Sequence, residues 1–294
     1  MKSCSAQSYM TRFNLNVVQA CARVCTVFAV MFALVLSPAA WSASSATDAA
    51  SDISDLSLAA NFEREVRPRL NMPIEEELAY SARLQQSLEE AHLQLESPQY
   101  VLLVDRNPKV QAVMIFLGSM QRGWSFVGAS PISTGLPGQF DHFTTPLGVF
   151  EHTLANPDFR ALGTKNELGF RGYGVKGMRV YDFGWVDAER GWGRGGFSEM
   201  RLQMHATDPD LAENLLGVAR SKGCVRIPAA LNDFIDRYAL LDMDYLKRAE
   251  EGNPLWILRA DRTPTLSPGR YMVVIDSARK DRPDWSPLPG KQLR

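Results

Sequence analysis

The sequence predicts a mainly β domain with α-helices at its flanks, a mixed sandwich or barrel-like arrangement. Two observations carry this. From Ser97 onward, short apolar runs of strand length recur between turn residues. Helical stretches are few and do not alternate with the strands, which argues against a βαβ sheet. The 294 residues, 45% hydrophobic and 22% charged, are enough for a sizeable core in an ordinary globular protein. A net charge of -1 gives no electrostatic case for nucleic acid or an anionic membrane surface.

The first residues differ from the rest. Lys2, Arg12 and Arg23 are their only charges, Val24 to Leu36 is an unbroken apolar run, and small residues follow at Ser37, Ala39, Ala40, Ser42 and Ala43. The run is shorter than the roughly 20 residues a spanning helix needs, so the layout reads as a signal peptide and the chain as exported to the periplasm or cell envelope. The alternative is a retained N-terminal anchor, the only route by which this chain meets a membrane. Cleavage after Ser42 or near Ala46 removes Cys4, Cys21 and Cys25 and leaves Cys224 as the one thiol. It also turns 32 basic against 33 acidic residues into 29 against 33. An exported chain with one cysteine has no internal disulfide, so its thiol is buried, paired with another chain, or used.

Residues 44–60 are rich in Ser, Ala and Asp and read as a solvated linker. Pro73, followed by Glu75, Glu76 and Glu77, opens a helix, with Ile74, Leu78, Ser81, Leu84, Leu88, Ala91 and Leu95 on one stripe. Tyr100–Asp105 and Val110–Leu117 flank Arg106-Asn107-Pro108-Lys109, which predicts a hairpin. Trp124–Ser133 predicts a third strand with Pro131 at its edge or end, because proline cannot donate to a ladder. Further strands are expected at Gly148–Leu154, Met178–Asp187, Arg201–His205, Leu255–Arg259 and Tyr271–Ile275, and helices at Asp208–Gly217 and Pro228–Tyr238. The Gly-rich segments Gly163–Gly177 and Gly184–Gly196 are expected to be loops. The second, with Trp185 and Trp192, is a candidate cover for a site.

The chemistry concentrates at Ser221-Lys222-Gly223-Cys224-Val225-Arg226. Cys224 is flanked by polar residues, and the cations Lys222 and Arg226 favour a thiolate. On an extended segment Arg226 falls on the same side as Cys224. His205 ends an apolar strand candidate, with fifteen residues between it and Ser221. A thiol and an imidazole brought together make an activated nucleophile. His92 on the helix, His142 in a loop and His152 in a strand are the competing bases. A zinc site finds no pair at metal-ligand spacing. The bland alternatives are a buried structural cysteine and a hydrogen-bonded structural histidine.

His205, the fifteen-residue gap and Ser221-x-Gly223-Cys224-Val225-Arg226 resemble the signature of the L,D-transpeptidase catalytic domain (the YkuD-type family). Upstream, Pro131-Ile132-Ser133-Thr134-Gly135, then Thr144-Thr145-Pro146-Leu147-Gly148-Val149-Phe150, resembles that family's Ser-Thr-Gly and Thr-Pro-x-Gly-x-Phe segments. Lys222 departs from the pattern, since the family usually has His there. The resemblance covers the expected catalytic domain, residues 99–260; the leader over 1–43, the linker and helix over 44–98 and the C-terminal extension over 261–294 lie outside it.

The resemblance implies acyl transfer between peptidoglycan stem peptides, donor and acceptor, with no metal or organic cofactor. Cys224 is then the nucleophile and His205 its base, or its partner in an ion pair. Backbone N–H groups at Gly223 and Cys224 serve the oxyanion, and Arg226 holds a substrate carboxylate unless it only forms a structural ion pair. Ser221 supports Arg226 or the substrate, or merely caps a turn, and Lys222 bears on substrate positioning. Water in place of the amine gives an L,D-carboxypeptidase, and loss of catalysis leaves a wall-binding module.

Overall fold

The computed structural model describes residues 57–287 apart from residue 168. The leader and the linker as far as residue 56 lie outside the described residues, as do residues 288–294. Among the described residues no helix is long and apolar enough to cross a membrane.

Among the described residues nine strands form two mostly antiparallel sheets. The first has the order β3-β2-β1-β9-β4, built from β1 (Gln99–Asp105), β2 (Ala112–Ser119), β3 (Gly123–Pro131), β4 (Gly148–Glu151) and β9 (Tyr271–Ile275). The second has the order β5-β6-β7-β8, built from β5 (Phe159–Arg160), β6 (Arg179–Glu189), β7 (Phe197–Ala206) and β8 (Val225–Ile227). The helices are α1 (residues 57–65), α2 (Ile74–Glu90), α3 (Ala229–Arg237) and α4 (Met243–Glu250). The described residues thus form a mixed α/β fold of two mostly antiparallel sheets and four helices.

The β1–β2 hairpin forms with Val104 opposite Val113 and Asp105 opposite Ala112. Its second strand starts at Ala112, because Gln111 takes a left-handed φ of 48° and prolongs the turn. Pro131 ends β3, which lies at a sheet edge where a missing N–H costs nothing.

The first sheet is buried on both faces, so β1 and β2 read as continuous apolar runs. Val101, Leu103, Met114 and Phe116 meet Tyr80, Leu84 and Leu88 of α2. Tyr100, Leu102, Val104, Val113 and Ile115 face the second sheet, where they meet Leu202, Met204, Val225 and Ile227, with Phe234 of α3. One face of the second sheet is therefore core, and the other is free to carry chemistry.

Several expectations change. Residues 57–60 are helix, not linker, because Leu58, Phe62 and Val66 recur every fourth residue and all bury in the core between the sheets. The α2 stripe turns toward Tyr80, leaving Ile74 and Leu78 exposed, because the Tyr80 hydroxyl donates to buried Asp105 at 2.7 Å. Residues 271–275 pair in parallel with β1 and antiparallel with β4, so the segment assigned to an extension supplies a central strand. Leu255–Arg259 is turn and irregular backbone, and Asp208–Gly217 is turns around a 3-10 element at Glu213–Leu215. Gly184–Glu189 belongs to β6, and residues 190–196 connect it to β7.

A fully buried ionic cluster anchors the back of the second sheet. Arg179 at the start of β6 is 0% exposed. It donates to both oxygens of Asp242 (2.7 and 2.6 Å), to Asp158 (2.6 Å) and to Asp236 (3.2 Å). His152 bonds Asp158 through Nε2 and the Leu241 carbonyl through Nδ1, both at 2.8 Å. A carbonyl and a carboxylate both accept, so both ring nitrogens carry protons and the imidazole is charged. Burial opposes that charge, but Asp158 outweighs it and the His152 pKa is raised.

Candidate active site

The site lies on the outer face of the second sheet, where β7 and β8 run parallel with Met204 opposite Val225, His205 opposite Arg226 and Ala206 opposite Ile227. Met204, Val225 and Ile227 point into the core. The alternation of strands therefore sends Gln203 and His205 of β7, and Cys224 and Arg226 at β8, to the opposite face together. His205 and Cys224 thus share one face of neighbouring strands, with Arg226 directly opposite His205. His92, His142 and His152 are elsewhere: His92 follows α2, His142 bonds the Leu136 carbonyl at 3.0 Å, and His152 is locked in the ionic cluster.

The two sequence motifs meet here. Ser133 and Arg226 exchange backbone hydrogen bonds of 3.0 and 2.9 Å, and Leu136 N–H donates to the Ser221 carbonyl at 2.9 Å. Thr145 ties the unit from a third segment: its hydroxyl donates to the Gly223 carbonyl at 2.6 Å and accepts from Gly135 N–H at 2.8 Å. A Cβ on Gly135 would stand 2.0 Å from the Phe143 carbonyl oxygen, so only glycine permits this approach. Gly223 has a φ of 136°, and a Cβ there would meet the Met200 sulfur at 2.7 Å.

Ser221 is a turn cap. Its hydroxyl donates to the Cys224 carbonyl at 2.6 Å and accepts from Gly223 N–H at 3.0 Å, so it does not reach Arg226. The same bond occupies the Gly223 N–H, which corrects its assignment to the oxyanion. Lys222 points to the rim, where its ammonium pairs with Asp141 at 3.0 Å, with side-chain exposures of 63% and 54%. There it ties down the loop that carries Asp141.

Cys224 is half-buried, with Sγ 3.8 Å from the Arg201 carbonyl oxygen. Burial pushes its thiol up, the Gln203 backbone N–H and the Arg226 charge pull it down, and Asp182 pushes it up again. The net direction is upward, so the expected thiolate gives way to a resting thiol. His205 is buried, and its Nδ1 donates to the Ala206 carbonyl at 2.8 Å, which leaves the Nε2 lone pair as acceptor. Burial lowers its pKa to about 4, against the Ala206 hydrogen bond and with the help of Arg226. Both shifts favour the neutral thiol and the neutral imidazole over the ion pair.

Arg226 lies among these groups, its own pKa lowered by burial. Among the described residues its buried Nε has no hydrogen-bond partner. No structural ion pair to Arg226 is present among the described residues, so its charge stands open to an anion beside the sulfur.

Three residues of the site escaped the sequence. Tyr173, from the first Gly-rich segment, packs its ring on His205 at 4.6 Å and donates to Gln203 Oε1 at 3.2 Å. Asp182 accepts from the Gln203 side-chain amide at 2.9 Å and from Arg201 Nε at 2.7 Å. The period-two pattern of β7 is the signal that would have placed Gln203 beside His205. The expected cover, Trp192, instead packs edge-on against Phe143 at 4.8 Å, while Trp185 is exposed in register with Arg201. Tyr173 is what covers the imidazole.

Among the described residues no group of three or more His, Cys, Asp or Glu side chains is placed to hold a metal ion. In comparisons with known proteins, no protein-family model and no curated protein matched the chain.

Proposed function

We propose that this chain is an exported cysteine acyltransferase, an L,D-transpeptidase of peptidoglycan stem peptides. The observation that carries the reading is the hydrogen-bonded unit of Ser133–Gly135, Thr145 and Ser221–Arg226, which presents a half-buried thiol beside a neutral imidazole and an unpartnered guanidinium.

The residues run the reaction as follows. His205 Nε2 takes the thiol proton as sulfur attacks the carbonyl carbon of the third stem residue. The Cys224 N–H faces the developing oxyanion, since the Gly223 N–H is already engaged. Collapse expels the terminal D-alanine, whose amine takes the proton from the imidazolium. A side-chain amine of a second stem then attacks the thioester, its proton passes to His205, and sulfur leaves as thiol. Arg226 holds a carboxylate of the donor, where its planar guanidinium makes two parallel hydrogen bonds.

Incubation of the leaderless chain with a tetrapeptide muropeptide tests this. A cross-linked dimer that disappears in Cys224→Ala supports transpeptidation. A tripeptide alone assigns the same thioester to hydrolysis, and unchanged substrate with wild type contradicts catalysis and points to a wall-binding module.

A further inference from the structure

We propose that Asp182 is the positioning residue of this site, holding in place the two β7 residues whose backbone groups face the sulfur. Those residues are Arg201, whose carbonyl oxygen is 3.8 Å from Sγ, and Gln203, whose backbone N–H is directed at the sulfur. Both side chains end on one carboxylate oxygen, Asp182 Oδ2, at 2.7 and 2.9 Å. The second oxygen, Oδ1, accepts the Gly184 N–H at 2.9 Å.

Asp182 is an improbable strand residue on propensity alone, and it is 0% exposed. A buried carboxylate is tolerated when its oxygens are hydrogen-bonded, and three N–H donors meet that need here. All three donors require an acceptor, so a carboxylate fits where an amide would present one NH2 group to an N–H. The position is fixed from behind as well. The Asp182 N–H donates to Asp158 of the buried ionic cluster at 2.9 Å, and the β6–β7 register shifts just after Asp182. Gln203 passes the constraint on to Tyr173, which covers His205. One buried side chain thus sets the backbone beside the sulfur and the ring over its base. Burial is the main cause that raises the thiol, and the negative charge of Asp182 adds a smaller push in the same direction.

Two measurements on the leaderless chain test this. The pH profile of Cys224 alkylation by iodoacetamide, read by intact mass, reports the thiol without any assumption about substrate. The rate of acylation by a carbapenem rests on the transpeptidase reading. In Asp182→Asn the alkylation profile moves to lower pH, because the charge is gone, while acylation falls about tenfold or more from lost alignment. The double variant Arg201→Ala/Gln203→Ala keeps the carboxylate; its acylation falls by a similar factor with no movement of the profile to lower pH. An unmoved profile in a folded Asp182→Asn protein overturns the role of Asp182. So does acylation within about twofold of wild type in the double variant, which decides the matter if Asp182→Asn does not fold. A wild type that is alkylated but never acylated counts against the transpeptidase reading and leaves the profile to judge Asp182.

Discussion

His205 and Arg226 are register partners on the parallel strands β7 and β8, so an imidazole and a guanidinium stand side by side on the face that carries Cys224. The neighbouring positive charge and burial both disfavour an imidazolium, and the pKa falls to about 4. The acid limb of kcat/KM for a tetrapeptide donor is therefore expected near pH 4, with a plateau above it. A limb near the ordinary histidine value, roughly 6.5, would contradict the neutral base.

The same shift fixes a stability effect. His205 is lowered in the folded chain, so between roughly pH 6.5 and about 4 the unfolded chain binds the proton first. The share of stability due to neutral His205, on the order of 3 kcal/mol, is lost as pH falls through that window. Urea midpoints measured across it decline more steeply in wild type than in His205→Gln. Parallel declines would rule the shift out.

Arg226→Lys keeps a charge but loses the planar fork. Binding of the donor carboxylate is expected to weaken by about 2 kcal/mol, seen mainly in KM and less in kcat. Steady-state kinetics with tetrapeptide muropeptide checks this, and an unchanged KM removes Arg226 from substrate binding.

Gly135→Ala is expected to destabilise more than Gly223→Ala. At Gly135 the new methyl meets backbone, the Phe143 carbonyl, which cannot step aside. At Gly223 it meets the flexible Met200 side chain, so the cost is mainly that of a φ of 136°, about 1–3 kcal/mol. Thermal unfolding of both variants gives the order.

Arg179→Met leaves Asp242 without its buried cation and Asp158 with His152 alone, which is expected to cost roughly 3–5 kcal/mol. His152 contributes with the opposite sign to His205. Its folded pKa is raised, so its share of stability is complete below the unfolded value and is lost as pH rises through the folded one. Breaking the exposed Lys222–Asp141 pair by Lys222→Ala is expected to change stability by less than about 1 kcal/mol. Denaturant titrations of the two variants separate the buried cluster from the rim.

Cys224 and His205 were legible as candidates because a local spacing and a strand end carry them. Asp182 and Tyr173 were not, because their roles come from contacts between segments that no spacing in the chain encodes, whereas Gln203 lay within reach of the period-two pattern of β7. Residues 57–60 resembled linker because Leu58 and Phe62 were isolated among Ser, Ala and Asp, and only the core shows what they bury against. The parallel pairing of Tyr271–Ile275 with Val101–Asp105 is a long-range choice, invisible to any window of sequence. Arg179 carries no signal in the sequence, because Asp158, Asp236 and Asp242 come to it from three separate segments.

The central claim, that Cys224 is a nucleophile served by His205, is tested most directly by the intact mass of the leaderless chain after exposure to a carbapenem. One adduct on wild type, none on Cys224→Ala and a strongly slowed adduct on His205→Ala is the result expected. No adduct on wild type, or an adduct that persists in Cys224→Ala, would contradict it.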